Sequence, residues 1–190
     1  MRIAVLALQG AFIEHEAMLH RLGVETLQIR QKSDLENPYD GLILPGGEST
    51  VQGKLLREFG LFEPLKEQIA GGLPVLATCA GTILLASNIE GQDTTYFKTI
   101  PMTVRRNAYG RQLGSFRTTE YVQGIGEIPL TFIRAPYIAH VDDSVDVICT
   151  VDDHIVGVQY GNQIAVSFHP ELDQDDRIHK HFLELCCARV

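Results

Sequence analysis

Short apolar runs and helical stripes alternate through the first half of the chain. Ile3 to Leu8 is a continuous apolar run stopped by Gln9-Gly10, which predicts a buried strand. From Ala11 to Leu22 the apolar positions Phe12, Met18, Leu19 and Leu22 fall at helical spacing, and Gly23 stops the helix. Val24 to Ile29 predicts a second strand, and Gly41 to Leu44 a third that ends at Pro45-Gly46-Gly47. Ser49 or Thr50 is suited to cap the next helix, which carries Val51, Leu55 and Leu56. Gly60 interrupts it, and a further helix runs through Leu65 and Ile69 to Gly71-Gly72. Pro74 to Ala77 is a fourth strand, followed by helical spacing from Ala80 to Ser87.

Strands joined by helices of this length pair in parallel through right-handed crossovers, so the pattern predicts a layered α/β sheet. The second half changes character. Thr99 to Val104, Leu130 to Ile133, Val145 to Val151, Ile155 to Tyr160 and Ile164 to Phe168 read as strands between short turns. A hairpin at Gln159 to Gln163 suggests antiparallel additions to the main sheet. A closing helix from about Asp175 to Ala188 presents Ile178, Phe182 and Leu185 on one face. Neither a repeat nor a linker divides residues 1–190, which are expected to form one domain.

The net charge of −8 argues against a nucleic-acid partner, and no polybasic segment offers itself to a membrane surface. The apolar start is too short for a membrane span and is not followed by a signal-peptide pattern. The four cysteines, Cys79, Cys149, Cys186 and Cys187, have no metal-ligand spacing, and reduced thiols in a cytoplasm are expected. Cys186 and Cys187 read as a core and a surface position of the last helix.

Pro74 to Thr82 carries the most chemistry. An apolar strand enters Thr78-Cys79-Ala80-Gly81 and passes directly into a helix, the pattern of a nucleophile elbow. The small neighbours let strand and helix backbones approach closely. The start of the helix favours the thiolate, and the Ala80 N–H is available to an oxyanion. A buried structural cysteine is the alternative for Cys79 read alone.

Among seven histidines, His169 stands just past an apolar strand in Phe168-His169-Pro170-Glu171. Residues two apart in an extended segment point the same way, so Glu171 can orient the His169 imidazole as general base for Cys79. His15 and His20 on the first helix, His140 near a loop, His154 by a hairpin, and His179 and His181 on the last helix read as surface or packing residues. Pro45-Gly46-Gly47-Glu48-Ser49-Thr50 ends a parallel strand at the same sheet edge as Cys79. Its glycines would let a ligand approach the backbone, although a plain turn with a helix cap would use the same residues.

With these residues in hand, the chain resembles the class I glutamine amidotransferases, and among them the glutaminase subunits of pyridoxal 5'-phosphate synthases. The segments Leu8 to His15, Leu44 to Thr50, Thr78 to Gly81, Arg106 to Gln112, Phe132 to Pro136 and Phe168 to Glu171 carry the match. The resemblance implies a flavodoxin-like three-layer fold and a Cys79-His169-Glu171 triad that releases ammonia from L-glutamine. It implies glutamine contacts at Gly47, Glu48, Ser49, Arg106, Ile133 and Arg134. It also implies that Gln9, Gly46 and Ala80 lie at the oxyanion region or the synthase interface. The partner would be a synthase subunit in a hetero-oligomer with multiple copies of each chain, and no cofactor is expected here. Such elbows usually carry glycine two residues before the cysteine, where this chain has Ala77. A non-catalytic binding subunit, or delivery of ammonia to another synthase, are the competing readings.

Overall fold

The computed structural model describes residues 1–106 and 115–188. The alternation of the first half becomes β1 (Arg2–Leu6), α1 (Phe12–Arg21), β2 (Glu25–Ile29), β3 (Gly41–Leu44), α2 (Ser49–Glu58), α3 (Phe62–Ala70), β4 (Val75–Thr78) and α4 (Ala80–Leu85). The strand-rich second half supplies β5 (Ala86–Ile89), β6 (Ile100–Arg105), β7 (Ser115–Val122), β8 (Gly126–Ile133), β9 (Tyr137–Val141), β10 (Asp146–Val151), β11 (His154–Tyr160) and β12 (Gln163–Val166). Helix α5 (Arg177–Ala188) closes the described chain.

The main sheet runs in the order β2-β1-β3-β4-β12-β11-β9-β6-β5, with β10 on β11. From β2 to β12 every pairing is parallel. Pairing turns antiparallel at the β11–β12 hairpin and stays so through β9 to β6. The mixed sheet therefore follows the division seen in the sequence: crossover helices in the first half, hairpins in the second.

Side chains alternate across the sheet and build a core on each face. Ala4, Leu6, Leu42, Leu44, Val75 and Ala77 face Leu56, Leu65, Ile69 and Leu84 of α2, α3 and α4. Ile3, Val5, Ile43, Leu76, Ile164 and Val166 face Leu19 of α1 and Ile178, Phe182 and Cys186 of α5. These are the three layers. Each fully buried Leu or Ile contributes about 1.5–3 kcal/mol of transfer free energy, so the strands are fixed in register by both faces at once. Cys186 is buried and Cys187 exposed, as expected for the last helix.

Four expectations are corrected. The helix begun at Ala80 ends at Leu85, and Ala86–Ile89 is a strand that pairs parallel with β6. Residues 130–133 belong to a longer strand, β8, which pairs with β7 in a two-stranded sheet separate from the main one among the described residues. That hairpin packs Val122, Ile128, Leu130 and Phe132 onto the α5 side of the core instead of extending the main sheet. His140 lies on a strand, β9, paired with Thr103. The cap of α2 is Glu48, which makes no side-chain cap bond, and neither Ser49 nor Thr50 takes that place. Among the described residues no helix is long and apolar enough to cross a membrane.

Candidate active site

Strands β1, β3, β4 and β12 are parallel neighbours, so their carboxyl ends share one edge. The segments leaving those ends carry Gln9, Gly46-Gly47, Cys79 and His169. Val166 of β12 sits opposite Thr78 of β4, and the Cys79 N–H donates to the Val166 carbonyl at 2.8 Å. Cys79 and the segment bearing His169 therefore leave the sheet side by side.

The elbow is strained where the chemistry needs it. Cys79 has φ of 48° and ψ of −103°, a left-handed φ that a non-glycine residue adopts at a cost of order 1–3 kcal/mol. The surroundings hold it there. The Thr82 hydroxyl donates to Val166 at 2.7 Å and contacts the Ala77 carbonyl at 3.3 Å, tying α4 to two strands. Gly81 allows the close approach: a β-carbon there would stand 2.1 Å from the Leu44 carbonyl oxygen. Ala77 is fully buried in the core with its β-carbon accommodated, so the elbow forms without glycine at that position.

His169 and Glu171 bracket Pro170 at the start of a short 3-10 turn, Pro170–Leu172. The His169 Nδ1–H donates to Glu171 Oε1 at 2.6 Å, and the carboxylate is fully buried. His169 Nε2, buried and without an oxygen or nitrogen partner among the described residues, is left for the thiol. Burial opposes charge on His169, but the hydrogen bonds and charges of Cys79 and Glu171 outweigh it and raise the imidazole to about 10. Burial also raises Glu171 above the usual carboxylate range, against the pull of His169. The imidazole is thus poised to carry a proton beside Cys79.

Gly46 is the floor on which these groups meet. A β-carbon there would stand 2.4 Å from His169 Cε1 and 3.3 Å from Cys79 Cβ. Its N–H donates to Thr78 Oγ1 at 3.0 Å and its carbonyl accepts from the Ala11 N–H at 3.0 Å. Gly46 therefore supplies the space in which these groups meet. Gln9 fixes the next peptide: its Oε1 accepts from the Glu48 N–H at 2.7 Å. Gln52 of α2 reaches back to the carbonyls of Gln9 and Pro45 at 3.0 and 3.1 Å, locking the two loops together.

A cleft of about 290 Å³ opens over Cys79. Gln9, Gly46, Gly47, Glu48, Ser49, Ala80, Arg106, Ile133, Arg134 and His169 all line it. Every site residue picked from the sequence thus reaches one cavity except Glu171, which backs it behind His169. Arg106 and Glu48 pair across the mouth at 2.6 Å. Ser49 is buried, its hydroxyl without a hydrogen-bond partner among the described residues. Ile133 and Arg134 leave β8 at the rim, Arg134 with φ of 44°. The part of the Arg106 to Gln112 segment from residue 107 onward lies outside the described residues. No cluster of His, Cys, Asp and Glu that could hold a metal occurs among the described residues.

The sequence missed His15. It is fully buried, with Nδ1 2.9 Å from His179 Nε2 and Nε2 3.4 Å from Glu171 Oε2. Its place at the end of the Leu8 to His15 segment, just past the Gln9 loop, was the available signal.

A mostly parallel sheet with a cysteine elbow and a histidine-carboxylate pair at its carboxyl edge defines the class I glutamine amidotransferase architecture. A solved structure described as a glutamine amidotransferase superposes with a TM-score of 0.92 at 43% identity, over 97% of this chain and 98% of that one. The chain belongs to the SNO glutamine amidotransferase family, whose pattern matches residues 5–188. It is 59% identical over 184 residues to the pyridoxal 5'-phosphate synthase subunit PdxT of Desulfitobacterium hafniense, covering 97% of this chain and 92% of that protein. The PdxT of Methanocorpusculum labreanum is 57% identical over 185 residues, covering 97% of both chains.

Proposed function

We propose that this chain hydrolyses the side-chain amide of L-glutamine with Cys79, His169 and Glu171 and passes the ammonia to a pyridoxal 5'-phosphate synthase subunit. The observation that carries the reading is the 2.6 Å His169–Glu171 pair beside the Cys79 elbow, at the base of a cleft of amino-acid size. Family membership and the PdxT relatives support the substrate and the destination of the ammonia.

The Cys79 thiolate attacks the amide carbon, forming a C–S bond, and the carbonyl oxygen becomes an oxyanion facing the Ala80 N–H. His169 gives the proton from Nε2 to the leaving nitrogen, and the C–N bond breaks to release ammonia. A thioester remains on Cys79. Water, deprotonated by His169, attacks that thioester, and the C–S bond breaks to return glutamate and the sulfur. Glu171 keeps the imidazole in the tautomer that both steps require. Gly47, Glu48 and Ser49 cradle the substrate, while Arg106, Ile133 and Arg134 hold its amino-acid end. Ammonia then serves a synthase that builds the vitamin from a pentose phosphate and a triose phosphate. The assembly is hetero-oligomeric with multiple copies of each chain, and it works in the cytoplasm without nucleic acid or membrane.

The test is glutamine-dependent ammonia release by the purified chain mixed with the synthase subunit. Wild type is expected to turn over, and Cys79→Ala and His169→Ala to lose activity. Tight binding to the synthase with no ammonia from wild type would make this a non-catalytic subunit instead. Capture of a different synthase from cell extract would redirect the ammonia.

A further inference from the structure

Behind Glu171 lies a buried polar cluster that amide hydrolysis leaves unused. His15 of α1, His179 of α5 and Thr78 of β4 are all fully buried there. His15 Nδ1 is 2.9 Å from His179 Nε2. His15 Nε2 is 3.2 Å from Thr78 Oγ1 and 3.4 Å from Glu171 Oε2. Thr78 Oγ1 in turn accepts the Gly46 N–H at 3.0 Å, so the cluster touches both the carboxylate and the loop under the thiol.

The hydrogen positions follow from what a buried carboxylate tolerates. Glu171 Oε2 is buried with no hydrogen-bond partner among the described residues, so a lone pair turned toward it would be repelled. His15 therefore carries its proton on Nε2, facing Glu171 Oε2 and Thr78. Its Nδ1 must then accept, and His179 Nε2–H is the donor. This leaves His179 Nδ1 as a buried acceptor without a partner among the described residues; the opposite arrangement would leave an N–H there in the same position. Both rings are held neutral. Burial, then the neighbouring His179 and His169, keep His15 well below its ordinary range, and burial with Arg21 brings His179 to about 4.

We propose that His15 is a positioning residue for the triad, its Nε2–H donating to Thr78, which holds the Gly46 peptide, and facing the second oxygen of Glu171 across 3.4 Å, with His179 setting its tautomer. The inference rests on the triad reading above. It links the helix that follows the Gln9 loop to the carboxylate that aims His169, two parts of the site that the chain separates by more than its own half-length.

The experiment uses the chain assembled with its synthase subunit and reads kcat, KM for glutamine, and the downfield proton resonance of the His169–Glu171 hydrogen bond. His15→Leu is expected to lower kcat about 10- to 100-fold with KM little changed, and to shift or broaden that resonance. His15→Gln, which returns a donor near the position of Nε2, should recover most of the rate. Should His15→Leu fail to fold, His179→Leu keeps His15 but removes the donor that sets its tautomer, and should move both kcat and the resonance. A fall in melting temperature alone, with kcat and the resonance unchanged in either leucine variant, overturns the proposal. So does equal loss in His15→Leu and His15→Gln. Cys79→Ala in the same assay separates the two ideas: if it still releases ammonia, the triad reading falls and this proposal with it. If it is inactive while His15→Leu behaves as wild type, only the positioning role fails.

Discussion

Replacing Gly46 with alanine probes the site by adding a single methyl group. Gly46 does not have positive φ, so alanine can adopt its backbone and the effect is one of space alone. The new β-carbon would stand 2.4 Å from His169 Cε1 and 3.0 Å from Nδ1. Carbon contacts settle at about 3.5–4.0 Å, so the ring must retreat by roughly 1 Å. The 2.6 Å bond to Glu171 cannot absorb that displacement, and the Pro170 turn leaves the ring no free direction. Overpacking of this kind costs about 1–3 kcal/mol, which in a chain this size lowers the melting temperature by roughly 2–12 °C. A misplacement near 1 Å in a catalytic group costs about 100-fold in rate. Ammonia release should therefore show kcat down by about that factor, with KM for glutamine changed much less. Gly71→Ala is the control, because its β-carbon would meet only the carbonyls of Glu67 and Gln68 in its own helix. If Gly46→Ala kept kcat within a few-fold of wild type, the ring would not lie where the geometry has it and the reasoning would fail.

Gln52→Leu removes the two bonds that join the Gln9 and Pro45 carbonyls, so glutamine turnover should fall while the fold melts cooperatively; unchanged kcat and KM would contradict a loop-locking role. Arg106→Ala should raise KM for glutamine with a smaller effect on kcat, since Arg106 lines the cleft mouth and its exposed pairing with Glu48 contributes at most about 1 kcal/mol to folding. His179 has its pKa lowered from 6.5 to about 4, so the stability tied to its neutral form is complete above pH 6.5 and is lost as pH falls through 4. That contribution is of order 3 kcal/mol, and melting temperature against pH should be flatter in His179→Gln than in wild type across that window. Raised to about 10, His169 has the opposite sign: its stabilisation is full below pH 6.5 and is lost as pH climbs through 10.

What the sequence made legible was local. The Cys79 elbow is readable because strand, small turn residues and helix are contiguous, and His169 and Glu171 are readable because they lie two apart in sequence, although a 3-10 turn at Pro170–Leu172, and not the expected extended segment, brings the carboxylate to the ring. The parallel half of the sheet followed from apolar runs separated by helical stripes. His15 was not readable, because its partners Thr78 and His179 lie 63 and 164 residues away and only the closed fold joins them. The β7 strand was missed because its alternating polar residues carry no continuous apolar run. The boundary between α4 and β5 was missed because Leu84, Leu85 and Ala86 are all buried and fit either period. Ser49 looked like a cap by residue type, but its neighbour Glu48 holds that place and leaves the serine facing the cleft.

The central claim is that Cys79 is the sulfur that attacks glutamine. A glutamine-like electrophile, such as a chloroketone bearing the same amino-acid end, tests it when the labelled complex is digested and mapped by mass spectrometry. One adduct is expected, on Cys79, slowed by added glutamine and absent in Cys79→Ala. Labelling spread over Cys149, Cys186 or Cys187 and indifferent to glutamine, or no adduct on Cys79 in an assembly that releases ammonia, would contradict it.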